Sequence, residues 1–157
     1  MCIRDSSFIN NVICIDTGQN TGVAIGSKAK RSLIHHKSYK LKRNMPHGKA
    51  PQLFYILDKL INEYGASTLV YESIDFGVHK SQADSYGRFV GVIELIAFNH
   101  QLDIECYGPK HIKRIAAGIG DASKGQVIES INTKYGLSVT DDNEADAIAI
   151  YLSLIHI

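Results

Sequence analysis

Three acidic residues stand where a chain can do chemistry. Asp16 closes the run NVICID, Glu72 closes TLVYE, and Asp146 lies in the Ala/Ile-rich stretch NEADAIAIYL. The first two runs are short, apolar and rich in β-branched residues, which reads as buried strands; the third has helical composition. Open α/β sheets place ligand sites outside strand ends. Two neighbouring strand ends, with a helix passing beside them, would therefore bring the three carboxylates together. Carboxylates held side by side resist ionising together. The counter-charge suited to oxygen ligands with room for water is a hard cation, Mg²⁺ or Mn²⁺. Two such ions, about 3.5–4 Å apart, would activate water and stabilise the departing oxygen of a phosphodiester. Any one of these acids alone is as well explained as a turn cap; their common placement points to the metal chemistry.

Basic residues complete that pattern. Lys124 follows the glycine-rich turn GIGDAS and opens a helix with Ser123 as its N-cap. A helix start with free N–H groups and a cation suits a phosphate, although a lysine in a first turn is as often simply solvated. Lys110, Lys113 and Arg114 share one helix face. That is either an ordinary exposed face or a source of salt-sensitive, sequence-independent contact to a nucleic-acid backbone. From Lys28 to Lys49 there are eight Lys/Arg, three His and no acid, a block that marks a solvated face or an interaction surface. His35 and His36 have no paired ligand motif and read as surface residues rather than zinc ligands; His79 is at most an auxiliary phosphate contact.

The elements that must position these groups follow from periodicity and punctuation. Strands are expected at 11–16, 21–26, 33–41, 68–71 and 103–107, the first two joined as a hairpin around Gly18, Gln19 and Asn20. Leu53, Leu57, Leu60 and Ile61 predict a helix over 51–64 with Gly65 as its stop. Phe89, Val92, Ile93 and Ile96 predict another over 83–98. Helices are also expected at 109–117, 124–135 and 143–151. Cys14 and Cys106 fall in strands and read as small core residues. Three strands in succession, then helices alternating with strands, imply an α/β fold whose mixed five-stranded sheet is flanked by helices.

The order and the motifs resemble the RuvC family of Holliday-junction resolvases, with an RNase H-like fold, over nearly all of 11–151. ICIDTGQNTGVAI is similar to that family's opening hairpin, and LVYESIDFG to its second acidic strand and the following loop. SYGRFVGVIELIAF is similar to a central helix, YGPKHIKRIAAGIGDASKGQVIESI to the segment after it, and NEADAIAIYL to the closing helix. The shortness of the chain is similar to phage-type members. The resemblance implies a metal-dependent endonuclease that resolves four-way DNA junctions, a homodimer, and Asp16, Glu72 and Asp146 on three of four catalytic acidic positions. The fourth position falls on Asn143, a departure from the acidic pattern. An amide oxygen can still coordinate a hard cation; Asp142 is the other candidate ligand, unless it caps the helix. The resemblance further implies a lysine at the scissile phosphate, here Lys124, and an aromatic that stacks on junction bases, here Phe76. Read from the residues alone, Phe76 is as well explained as a half-buried loop residue.

Two other function classes fit parts of the pattern. IDTGQNTGVAI also resembles the phosphate loop of actin-like sugar kinases, which need two such domains. A non-catalytic or RNA-processing relative would keep the fold and lose full metal binding, as Asn143 allows.

The chain has 157 residues and a formal net charge of +1, so net charge alone names no partner. The terminal hexapeptides MCIRDS and LSLIHI back-translate to ATGTGTATAAGAGACAG and CTGTCTCTTATACACATC, reverse complements apart from one final base. Both resemble a transposon-end adapter and are set aside as non-native, which leaves 7–151 as one nuclease domain truncated at its C-terminal end. Without a CxxC motif, signal peptide or long apolar run, the chain is expected to be soluble, off the membrane, and cytoplasmic in a bacterium or phage-infected host.

Overall fold

The computed structural model describes residues 11–45, 47–74 and 79–156. Its elements run β1 (Asn11–Asp16), β2 (Asn20–Ser27), β3 (Ser32–Lys40), α1 (Lys49–Tyr64), β4 (Ala66–Glu72), α2 (Lys80–His100), β5 (Asp103–Tyr107), α3 (Pro109–Ala117), α4 (Lys124–Tyr135) and α5 (Asp142–Ile155). The sheet order is β3-β2-β1-β4-β5. β2 lies antiparallel to β1 and β3, whereas β4 lies parallel to β1 and β5. This is the mixed five-stranded sheet expected from the sequence.

Strand alternation divides the core in two. Ile13, Ile15, Val23, Ile25 and Leu69 point to one face, where Leu53 and Leu57 of α1 and Phe89, Ile93 and Ile96 of α2 cover them. Val12, Cys14, Ala24 and Val70 point to the other, under α3, α4 and α5. Both faces of β1 are thereby buried, which is why its sequence is a continuous apolar run rather than an alternating one. No helix among the described residues is long and apolar enough to cross a membrane.

Three details depart from expectation. Cys14 is buried but Cys106 is exposed, because β5 is an edge strand. The last helix does not stop at Tyr151: Leu152, Ser153, Leu154 and Ile155 continue α5 and are buried. Their apolar side chains extend the helix's buried surface, and the Ser153 hydroxyl donates to Ala149 O at 3.0 Å. Residues 152–155, which belong to the hexapeptide set aside as non-native, are thus part of the fold. α2 is also longer at both ends than its apolar pattern indicates, since its first turns are exposed and polar.

α5 sits directly on β2, and glycine makes this possible. A Cβ at Gly26 would lie 2.3 Å from the Tyr151 ring, and one at Gly22 would lie 1.8 Å from the Asn143 carbonyl oxygen. Tyr151 is buried, and its hydroxyl donates to Ser27 O at 3.0 Å. Gly26→Ala should therefore force the ring and helix apart and lower stability by about 1–3 kcal/mol, read as a lower urea midpoint. An unchanged midpoint would show that the helix is not seated this tightly.

Candidate active site

β1 and β4 are parallel neighbours, so their last residues, Asp16 and Glu72, leave the sheet at the same end. Asp16 is also in register with Gly22 of β2, the residue on which the Asn143 backbone rests. This contact fixes the start of α5 beside the strand ends, with Asp146 one turn further on. Asp16, Glu72, Asn143, Asp146, Lys113 and Lys124 all line one cleft of about 960 Å³.

The α5 N-terminus is capped by Asp141, whose carboxylate accepts from Glu144 N at 2.9 Å. Asp142, which the sequence offers as cap, is instead the first helical residue and pairs with Lys124. Sequence reasoning missed the cap because three consecutive polar residues, Asp141, Asp142 and Asn143, each carry a suitable side chain. Ser123 caps α4 as expected: its hydroxyl accepts from Gln126 N at 3.3 Å, and Gln126 Oε1 accepts from Ser123 N at 2.8 Å. That capping box holds Lys124 at the first position of α4, on the cleft. Of the basic face on α3, only Lys113 lines the cleft; Lys110 and Arg114 are exposed outside it. Phe76 lies outside the described residues. His36 pairs with Glu144, and the His35 ring stacks on Tyr64 at 5.3 Å. Arg43, Lys49 and Tyr86 also line the cleft. No site was assigned to them from the sequence, where the basic run was the one available signal for the first two.

Electrostatics mark Asp16 as the most crowded carboxylate of the cleft. Burial, and then the carboxylates of Asp146 and Glu72, push Asp16 from the ordinary 3.8 up to about 8, with Lys124 opposing in part. Burial also raises Asp146, against the pull of Lys124 and Lys113. The hydrogen bond between Lys124 and Asp142 holds the ammonium above its usual range and the carboxyl below. Among the described residues, no group of three or more His, Cys, Asp and Glu stands as a ready-made metal cage. The carboxylates share the cleft without meeting at one point. The donor set nevertheless suits a hard cation that keeps much of its water and binds through one or two carboxylates plus substrate phosphate, the habit of Mg²⁺.

A mixed five-stranded sheet with acids at two parallel strand ends and a third on the closing helix defines an RNase H-like protein with a candidate metal cleft. The family model described as "Crossover junction endodeoxyribonuclease RuvC" matches residues 12–156. The chain is 31% identical to RuvC of Dictyoglomus thermophilum over 155 residues, covering 92% of this chain and 96% of that one. It is 32% identical to RuvC of Alkaliphilus oremlandii over 102 residues, covering 64% of this chain and 62% of that one. The latter match thus spans under two thirds of the relative. The fold superposes on T. thermophilus RuvC, solved in complex with a Holliday junction substrate, with a TM-score of 0.80 at 23% identity over 92% of both chains. The chain belongs to the RuvC family.

The raised pKa of Asp16 has a stability consequence. Without a cation, the folded state keeps a proton that the unfolded state releases above about 3.8, so stability falls as pH rises until ionisation is complete in both states, above about 8. Asp16→Asn removes this penalty. The variant's melting temperature, measured in a chelator, should therefore gain on the parent's progressively across that window. A constant gap between the two melting curves at all pH values would contradict the burial and repulsion described.

Proposed function

We propose that the chain is a metal-dependent endonuclease that cuts four-way DNA junctions. The observation that carries this reading is the lining of one cleft by Asp16, Glu72, Asn143, Asp146, Lys113 and Lys124, in a chain matched by the RuvC family model from 12 to 156. Asp16, Glu72 and Asp146 would hold two Mg²⁺ or Mn²⁺ ions, with the Asn143 amide oxygen as the fourth ligand. Asn143 is favoured over Asp142 because it lines the cleft, whereas Asp142 is engaged by Lys124. When bound, such ions activate water and offset charge at the scissile phosphate.

The chain's own groups do the rest. Asp16 gives up its proton as positive charge enters the cleft. Lys124, held at a capped helix start, offsets charge on the phosphate. Lys113, and outside the cleft Lys110 and Arg114, bind backbone without reading sequence. Phe76 is assigned to stacking on an opened base. Ile112, Val127 and Ala149 give the cleft an apolar wall, which strengthens the electrostatic effects within it. The proposed nuclease domain is 7–151, which α5 extends to Ile155, and its proposed place of work is the cytoplasm of a bacterium or phage-infected host.

A junction needs two symmetric nicks, which suits a C₂ dimer. The exposed face of α2 carries Gly87, Gly91, Leu95 and Phe98 along one stripe; Leu95 is 55% and Phe98 81% exposed. A second copy packing on this stripe would bury both apolar side chains where the glycines allow close approach. Leu95→Asp with Phe98→Asp should convert a dimer to a monomer in light scattering; an unchanged mass would place the contact elsewhere.

Asp16→Asn should lower Mg²⁺-dependent nicking of a synthetic four-way junction more than about 100-fold, beyond the loss usual for a residue that only supports a metal ligand. Junction affinity should remain. Nicking by the variant at the parent's rate would remove Asp16 from the chemistry. Junction binding by the parent with no nicking would identify the non-catalytic relative instead.

A further inference from the structure

The basic stretch 28–49 is divided by the fold. Lys28, Lys30 and Arg31 lie at the turn between β2 and β3, where Ser27 pairs with Ser32, at the end of the sheet away from the acids. Lys40 pairs with Asn20 at the opposite end, so the chain that follows it emerges beside Asp16. There Arg43 and Lys49 line the same cleft as the acids. They belong to the layer of α1 and α2, whereas Lys113 and Lys124 belong to the layer of α3 and α4. The acids at the strand ends thus lie between two basic walls.

The second wall is held in place. Leu41 N donates to Gln19 O at 2.8 Å, tying the loop to the Asp16 hairpin. The Gln52 side chain accepts from Lys42 N at 2.9 Å and donates to Lys42 O at 2.7 Å and Gly48 O at 2.8 Å. Lys49 Nζ donates to Gln19 Oε1 at 3.4 Å. A smaller hollow of about 250 Å³ continues from this wall, shared by Arg43 and Lys49 with His47 and with Arg88, whose charge is paired to Asp84 at 3.2 Å.

We infer that Arg43 and Lys49 hold a second stretch of phosphodiester backbone, on the α1–α2 side of the acids, while Lys113 and Lys124 hold the stretch to be cut. The inference rests on the junction-nuclease reading and deepens it. A linear duplex that gives one strand to the α3–α4 wall holds its partner strand at the fixed distance set by the grooves. A branch point adds a strand from another arm, free of that spacing, and it is this strand that would meet Arg43 and Lys49. Selection for branched over linear DNA thus lies partly in this loop.

The test compares Arg43→Ala/Lys49→Ala with Lys28→Ala/Lys30→Ala, which removes the same charge at the far end of the sheet. Binding to a four-way junction and to a linear duplex is measured in chelator over a range of salt. Each lost phosphate contact lowers the salt slope by about 0.9, so the first variant should lose roughly tenfold in junction affinity and about 2 in slope. Its duplex affinity, and both affinities of the second variant, should stay within about threefold of the parent. Arg43→Lys/Lys49→Arg, which keeps both charges, should restore most of the loss. Equal behaviour of the two alanine variants overturns the inference, as does an equal loss on junction and duplex. If the parent itself shows no preference for junctions, the junction-nuclease reading falls and the inference with it; a junction-selective parent with indifferent variants overturns the inference alone.

Discussion

The contact between α5 and the floor of β2 is the constraint on which the candidate site depends. Backbone meets backbone at Gly22, and a ring meets backbone at Gly26. Because Gly22 is paired with Asp16, seating the helix on one strand also sets Asn143 and Asp146 against the end of the next. The small side chains Ala145, Ala147 and Ala149, all buried, allow the same closeness along the helix. Few alternatives are open to such an interface: any side chain at Gly22 displaces the helix start by more than the tolerance of a metal or phosphate site.

That geometry gathers negative charge where water is scarce. Asp16 answers by keeping its proton up to about pH 8, and Lys124 is the cation nearest at hand, tethered to Asp142. The cleft thus carries an electrostatic penalty in the folded protein. On the proposed reading, binding energy from cations would offset that penalty rather than reshape the chain.

Much of this was legible in the sequence, for identifiable reasons. β1 and β4 are buried on both faces and end in acids, so their composition and their chemistry announce the same boundaries. Ser123 and Gln126 spell a capping box that places Lys124. The start of α5 was legible as a helix start but not in its detail, because Asp141, Asp142 and Asn143 are interchangeable as caps until packing chooses among them. Periodicity told of the buried face of α2 but not of its polar first turns. The basic run before α1 was visible as composition. Its division between two ends of the sheet depends on strand register, which charge counts do not contain. Lys113 and Arg114 are adjacent in the chain, yet one lines the cleft and the other does not, because successive helical residues point about 100° apart.

The order of the elements also has a consequence for how the protein is made. The face of the sheet that carries Val12, Cys14, Ala24 and Val70 is closed by α3, α4 and α5, and α5 is the last of these three in sequence. On a ribosome, the strands emerge before any of the helices that cover this face, and α5 emerges last of those helices. Nascent chains hold an open apolar surface until the closing helix arrives, and the strand-end acids lack Asp146 until the same moment. The helix that finishes covering the apolar face is thus the same one that completes the set of carboxylates at the strand ends.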